Sequence, residues 1–318
     1  MQMLPLIFIL LSPLVYAQNQ SCYLKMNEGQ NYQITDFQTQ RKSCVISSDQ
    51  RAIEQLRVFR SDGKDYSWVV DKFTLASYVV PSSCVVSCDA NTSNLKYDTL
   101  LKNSTAHPFP LENDGLTKDS KSKNTYLTVD LCPSSKAYDR DFFQYLEKYT
   151  EVKNEIFPIA IAISGGWLLN HKQELQEILN LHKTSKLQIT WVNHTRHHHY
   201  AVGVANEHNF LLNSKFDPRA EILDQEQLML ANGLMPSIFL RYPGLVSDQK
   251  LIELTQALGL IPLGSRAWIG KTNSFSPGDI LLLHGNGNER RGIDLFYQLV
   301  KNNKIFEYTW RALTQWSK

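Results

Sequence analysis

The alternation of short apolar runs with longer amphipathic segments, over the last two thirds of the chain, restricts the fold more than any other feature. From Thr125 onward, six runs predict strands: "YLTVDL", "PIAIAIS", "LQITWVN", "PSIFLRY", "LIPLG" and "DILLLH". Segments with helical spacing separate or follow them, among them "YDRDFFQYLEKY" and "DQKLIELTQALG". Repeated strand–helix units of this length predict a parallel sheet, either open or closed into a barrel.

The first hundred residues follow a different pattern. Residues 18–102 contain short strand-like runs such as "YSWVV" and "SCVVSC" between polar turns, so we expect a small β-rich accessory domain. One segment, "DQRAIEQLRVF", has the spacing of an amphipathic helix. The polar segment 103–124, with Pro, Gly and Ser, predicts a linker to a second domain at 125–318. A chain of 318 residues is long enough for two domains or one large barrel.

The first 17 residues, "MQMLPLIFILLSPLVYA", predict a cleaved secretory signal peptide. They form an apolar run that ends in Val15-Tyr16-Ala17, a small-x-small cleavage site. An uncleaved anchor is the alternative, although Pro5 and Pro13 interrupt a run shorter than the roughly 20 residues of a membrane span. We therefore expect a periplasmic or secreted protein without a transmembrane segment after cleavage. The net charge of +2 does not indicate a nucleic-acid partner, and the oligomeric state stays open.

The cysteines are unevenly distributed. Cys22, Cys44, Cys84 and Cys88 lie in the first third of the chain, and Cys132 stands apart. Disulfides form in exported proteins, and four cysteines allow three pairings. We predict an N-terminal region held by disulfides, with Cys132 left over.

Residues with useful chemistry follow several of the predicted strands. The strand ends supply Asp130, His194, Arg241 and His284. In parallel α/β folds the C-terminal ends of the strands meet at one edge, and active sites form there. We therefore expect these four side chains to converge on one site.

A histidine-rich segment, "NHTRHHHY", follows the third predicted strand. His194 and His198 are four residues apart, so a helical turn would point both side chains the same way. Neutral imidazoles with that spacing suit zinc or a similar divalent ion, and an exposed histidine-rich loop is the alternative. His197 and His199 are predicted to be solvated neighbours rather than ligands.

The other strand-end residues each have a chemical role and a structural alternative. Asp130 suits a base that activates water, or else a helix cap. Arg241 would keep Asp130 ionised, or else lie at the surface. The Pro243-Gly244 turn would present a backbone N–H to an oxyanion. His284 suits proton transfer, and a histidine buried by chance is the alternative. The glycines that follow His284 do not have the spacing of a phosphate-binding loop.

Together these elements resemble the polysaccharide deacetylase (NodB-homology) superfamily of carbohydrate esterases, over about Tyr126 to Val300. The five motifs of that superfamily are matched, in order, by Thr128–Leu131, His194–His198, Arg241–Pro243, "GSRAWIG" around Trp268, and Leu281–His284. The stretch "SGGWLLNH", with Gly166 and Trp167, also resembles the segment after the superfamily's second strand.

The resemblance implies a distorted (β/α) barrel of the NodB type and metal-dependent removal of N-acetyl groups from a glycan. The glycan would be peptidoglycan, a chitin-like oligomer or a biofilm polysaccharide. His194 and His198 would bind the divalent ion, with Zn²⁺ expected and Co²⁺, Ni²⁺ or Mn²⁺ as alternatives. Asp130 would act as the base, with Arg241 holding it charged, and His284 would protonate the leaving amine.

The resemblance also implies the surroundings of the acetyl group. The Gly244 N–H would stabilise the oxyanion. Trp268 and Leu282 would line the pocket for the methyl group, and Trp167 and Pro243 are assigned to the same substrate pocket.

Two departures from the superfamily pattern affect the predicted site. The second acid of the first motif, a metal ligand in the superfamily, is Leu131 here, and the fourth motif lacks its acid. Cys132 lies on the same face of an extended strand as Asp130, so it is a candidate third ligand. Unpaired pocket lining and a disulfide partner are the alternatives for Cys132. A glycan-binding barrel with little or no turnover, or an amidase for a small non-sugar amide, would also fit.

Overall fold

The protein contains two β-sheets, one antiparallel and one parallel. The computed structural model describes residues 22–317 except 25, 89–92 and 273. The predicted signal peptide, residues 1–17, lies outside the described residues. No helix within the described ranges is long and apolar enough to span a membrane.

The N-terminal sheet has five strands that pair in the order β4-β3-β2-β1-β5, and every pair is antiparallel. The strands are β1 (Thr35–Ile46), β2 (Ala52–Ser61), β3 (Lys64–Asp71), β4 (Ser77–Pro81) and β5 (Val85–Val86). This sheet confirms the predicted β-rich region.

The helix predicted at "DQRAIEQLRVF" is wrong, because the segment forms strand β2. Both faces of β2 are covered. Ile53 packs with the N-terminal cysteines, whereas Leu56 and Phe59 belong to a larger core that includes barrel residues. Because both faces of β2 are buried, its apolar residues do not alternate strictly with polar ones, and their spacing resembles that of an amphipathic helix.

Two disulfides hold the N-terminal sheet together. Cys22 pairs with Cys84 and Cys44 with Cys88, and Cys132 is free. The structure therefore confirms the predicted distribution and selects one of the three pairings.

The second sheet is parallel and curled, with seven strands in the order β10-β9-β8-β7-β6-β12-β11, and β13 pairs with β6. Its strands are β6 (Asn124–Leu131), β7 (Phe157–Ile163), β8 (Leu187–Asn193), β9 (Pro236–Leu240), β10 (Ile261–Pro262), β11 (Ala267–Trp268), β12 (Ile280–His284) and β13 (Thr309–Trp310). This order is that of a (β/α) barrel opened between β10 and β11. The predicted distorted barrel behind a β-rich region is confirmed.

One helix precedes the parallel sheet, and the other helices alternate with its strands. They are α1 (Lys96–Ser104), α2 (Arg140–Lys153), α3 (Gly165–Asn170), α4 (Lys172–Lys183), α5 (Pro218–Ala231), α6 (Gln249–Ala257) and α7 (Arg290–Lys301). Leu127, Val129 and Leu131 of β6 pack in the outer core with Phe142 of α2 and Phe296 of α7. Because side chains alternate along a strand, the residues between them face the barrel interior.

Helix α5 connects the two sheets. The side chains of Arg57 on β2 and Glu226 on α5 are fully buried and form a two-pronged ion pair, with Nε 2.7 Å from Oε2. On the barrel side, Gln225 donates to the carbonyl of Ile163 at the end of β7. The segment 103–124, predicted as a linker, lies against the barrel through backbone bridges, one of them between residues 116 and 263.

Candidate active site

The ends of the parallel strands meet around a cavity of about 370 Å³. Strand β12 pairs with β6 so that His284 lies beside Asp130. The cavity is lined by Asp130, Cys132, His194, His198, Tyr200, Phe210, Gly244, Leu245, Trp268, Leu282, His284, Asn286, Asn288 and Glu289.

Three side chains in this cavity form a cluster with the donors of a metal site: Cys132, His194 and His198. One atom from each of them lies within 4.8 Å of the others. Nδ1 of His194 is 2.8 Å from the carbonyl oxygen of Arg241, which can only accept, so Nδ1 carries the hydrogen. Nε2 therefore presents its lone pair to the cluster, 3.4 Å from Sγ of Cys132. We call these three residues the inner cluster.

The electrostatics of the inner cluster suit a metal site. Burial, as the main cause, lowers the pKa of His194 and of His198 to about 3, so both rings are neutral and can ligate. Nε2 of His198 is buried and has no hydrogen-bond partner among the described residues. A buried nitrogen without a partner is costly, and a divalent cation would satisfy it. Two imidazoles and one thiolate are a donor set that suits Zn²⁺.

Asp130 is held between the inner cluster and a buried arginine. Its Oδ2 lies 3.6 Å from Nε2 of His194, and its Oδ1 lies 3.6 Å from a guanidinium nitrogen of Arg241. Arg241 is fully buried behind the cavity and donates to Oγ1 of Thr128 at 2.9 Å. The guanidinium of Arg241 therefore lies beside the carboxyl group that the sequence predicts as the general base.

Glu289 contacts both His284 and Trp268. Its Oε2 lies 2.7 Å from Nδ1 of His284 and accepts a hydrogen bond of 2.7 Å from the indole of Trp268. Burial alone would raise the pKa of Glu289, but the hydrogen bonds from His284 and Trp268 lower it overall. A charged Glu289 orients His284, and its contact with Nδ1 leaves Nε2 of that ring available for proton transfer.

The predicted substrate-pocket residues separate into two groups. Trp268 and Leu282 line the cavity, as does Gly244, the predicted oxyanion donor, whereas Trp167 and Pro243 are buried and are not among the lining residues. Trp167, on α3, stacks on His171 with ring centroids 4.9 Å apart.

Tyr200 and Phe210 form an aromatic wall on one side of the cavity, and sequence patterns did not predict this wall. The rings of Tyr200 and Phe210 stack with centroids 5.2 Å apart. Gly244 adopts a φ of 65°, and a Cβ built there would lie 2.5 Å from Phe210. The close approach of the backbone to this ring therefore requires glycine.

The fold and the cavity define a distorted (β/α) barrel with a candidate metal cluster at its strand ends. No family model matches the chain. Among solved structures, it is similar to a family 4 carbohydrate esterase from Bacillus anthracis, with 18% identity, 71% of this chain and 94% of that chain covered, and a TM-score of 0.48. Bacillus subtilis PdaA, also a family 4 carbohydrate esterase, has 16% identity, coverage of 70% and 89%, and a TM-score of 0.46. Bacillus anthracis BA3943, described as a pseudoenzyme of the same family, has 10% identity, coverage of 87% and 89%, and a TM-score of 0.44.

Proposed function

We propose that the protein is a divergent polysaccharide deacetylase, a metal-dependent hydrolase that removes N-acetyl groups from a glycan outside the cytoplasm. The observation that carries the proposal is the arrangement of three parts in one cavity. The inner cluster, Asp130 beside Arg241, and the His284–Glu289 pair meet at one cavity, where they would provide a metal site, a base and an acid.

Cys132, His194 and His198 would hold the ion, for which Zn²⁺ is the best match and Co²⁺, Ni²⁺ or Mn²⁺ are alternatives. When bound, the ion supplies polarisation of the acetyl carbonyl and activation of water. Cys132 takes the place of the acid that the superfamily has at position 131. The contact between Nδ1 of His194 and the carbonyl of Arg241 fixes the orientation of that ring, as outer-shell partners do in metal sites.

The protein residues carry out the proton transfers. Asp130 accepts a proton from the attacking water, and the guanidinium of Arg241 lies 3.6 Å from Oδ1 of this carboxyl group. The N–H of Gly244 stabilises the negative charge that forms on the carbonyl oxygen. Nε2 of His284 then donates a proton to the leaving amine, while Glu289 stabilises the positive charge of the imidazolium.

The proposed location and substrate follow from other features. Two disulfides support an oxidising compartment, such as the periplasm or the exterior of the cell. The apolar side of the cavity, with Trp268, Leu282 and the aromatic wall, suits an acetyl methyl group and the face of a sugar ring. Peptidoglycan, chitin-like oligomers and biofilm polysaccharides all offer such groups.

The test is acetate release from a panel of N-acetylated glycans, with and without a chelator. We expect release from at least one glycan, loss of release with the chelator, and recovery when Zn²⁺ is restored. Asp130→Asn should lower release by about 10²–10⁴-fold without loss of bound metal, because it removes the base and leaves the inner cluster intact. Full activity of this variant would refute the role of Asp130.

A glycan-binding barrel without turnover is the second candidate. Leu131 favours it, because this side chain is fully buried in the outer core and leaves no carboxylate at that position. In that case the panel would show binding without acetate release. Release from small non-sugar amides alone would identify an amidase.

A further inference from the structure

The two histidines beside His198 contact a carboxylate outside the cavity. Nδ1 of His197 lies 2.6 Å, and Nε2 of His199 lies 3.1 Å, from Oε1 of Glu221 on α5. One atom from each of the three side chains lies within 4.8 Å of the others. We call His197, His199 and Glu221 the outer cluster. The sequence predicts that His197 and His199 are solvated neighbours rather than ligands. In the structure both contact Glu221.

Neighbouring groups hold the outer cluster in position. The Glu221 side chain is 7% exposed, and its Oε2 accepts a hydrogen bond of 2.8 Å from the backbone N–H of His197. The backbone carbonyl of Glu221 accepts from the N–H of Arg196 at 3.0 Å. The ring of His199 stacks on Phe216, with centroids 3.3 Å apart and planes 4° apart. The carboxylate and one ring are thus ordered, while His197, at 57% exposure, leaves the cluster open to solvent.

The chemistry of these groups suits a transition-metal ion. Both ring nitrogens approach the same carboxylate oxygen, so the three donor atoms converge on a small volume. Two imidazoles and one carboxylate bind Zn²⁺ with protein–metal distances of about 2.0–2.2 Å, and water can complete the coordination. An ion pair between the rings and the carboxylate is the alternative use of the same groups.

We propose that the outer cluster is a second divalent-cation site, with Zn²⁺ as the best-matched ion. This inference goes beyond the proposed function, because it requires no turnover. His198 lies between the two outer histidines in the chain and has a φ of 51°, in the left-handed region. An ion held by its neighbours would fix the backbone on both sides of His198, and so stabilise the inner cluster.

The test counts tightly bound ions by elemental analysis after titration of metal-free protein with Zn²⁺ alone and gel filtration. We expect two ions per chain in the wild type. The outer variant, His197→Gln/His199→Gln, and the inner variant, His194→Gln/His198→Gln, should each keep one. An outer variant with the same count as the wild type would overturn the outer site. A wild type with one ion, lost only in the outer variant, would support the outer site and count against the proposed function.

Two further measurements separate an effect on binding from an effect on folding. The single variant His197→Gln changes a side chain that is 57% exposed, so the fold should persist, and the second ion should bind at least about tenfold more weakly. Wild-type affinity in this variant, together with an unchanged ion count in the outer variant, would contradict the site.

With Co²⁺, thiolate charge-transfer absorption should persist in the outer variant, because only the inner cluster contains Cys132. The inner cluster of the outer variant should bind its ion about tenfold more weakly, and equal affinity would overturn the coupling to His198.

Discussion

Replacing Cys132 with serine should remove one of the three donors of the inner cluster and change little else. The thiol is free, and Sγ lies 3.4 Å from Nε2 of His194. Serine has nearly the same size, but its hydroxyl is a poor ligand for Zn²⁺. Loss of a residue that only orients a ligand costs about 10–100-fold in metal affinity. Loss of a direct donor should therefore cost at least about 100-fold, or about 3 kcal/mol.

The pH dependence of binding gives a second, independent signature of Cys132. Burial, followed by the Asp130 carboxylate, raises the pKa of the Cys132 thiol well above its ordinary value, so the thiol is protonated in metal-free protein. The pKa of His194 and of His198 is about 3, so neither ring has an extra proton to lose above pH 5. Binding through the thiolate then releases one proton, and the affinity should rise about tenfold per pH unit between pH 6 and 8.

The measurement is competition for Zn²⁺ against a chromophoric chelator at pH 6, 7 and 8, in the background of the outer variant. The wild-type inner cluster should show the tenfold rise, and Cys132→Ser should bind weakly with a smaller slope. Cys132→Asp, which offers a carboxylate at the same position, is the matched control and should recover part of the affinity. Equal affinity and equal slope in the wild type and Cys132→Ser would refute Cys132 as a ligand.

Three further variants test other parts of the structure. Glu289→Gln removes a charge-assisted hydrogen bond worth about 1.5–3 kcal/mol. The kcat for acetate release should therefore fall about 10–150-fold, with the metal content unchanged. An unaltered kcat would contradict the orienting role of Glu289. Arg57→Met leaves the buried Glu226 unpaired and should lower the free energy of unfolding, measured in urea, by about 3–5 kcal/mol. The double variant Arg57→Met/Glu226→Met should recover most of this loss. Equal losses in the single and double variants would argue against a stabilising ion pair. Gly244→Ala forces a Cβ toward Phe210 at a positive φ, so both thermal stability and acetate release should decrease, and wild-type values for both would show that the loop adapts.

The sequence was sufficient for the parallel sheet, because its signals are local. All six predicted strands overlap observed ones, and the residues at their ends converge, as parallel strands require. The alternation of side chains along β6 also placed Leu131 in the outer core and Cys132 in the cavity. These outcomes depend on periodicity and strand polarity, which can be observed in a single sequence.

The remaining features depend on contacts between distant segments. Glu289 lies in a loop, and nothing in its own surroundings in the sequence predicts that it will contact Trp268. The resemblance assigns Trp167 to the substrate pocket, but α3 begins directly after β7 and directs this ring into the core against His171. Strand β2 was mistaken for a helix because its second face is covered by a different part of the chain.

Helix α5 makes the first hundred residues necessary to the chemistry at the other end of the molecule. It holds Arg57 through Glu226, and one and a half turns earlier it holds the histidine loop through Glu221. A chain that began at the barrel would lose the arginine that pairs with Glu226 and would expose this face of the helix that also supports the histidine loop. We therefore expect evolution to transfer this barrel to new protein architectures only together with its N-terminal sheet, as one inherited unit.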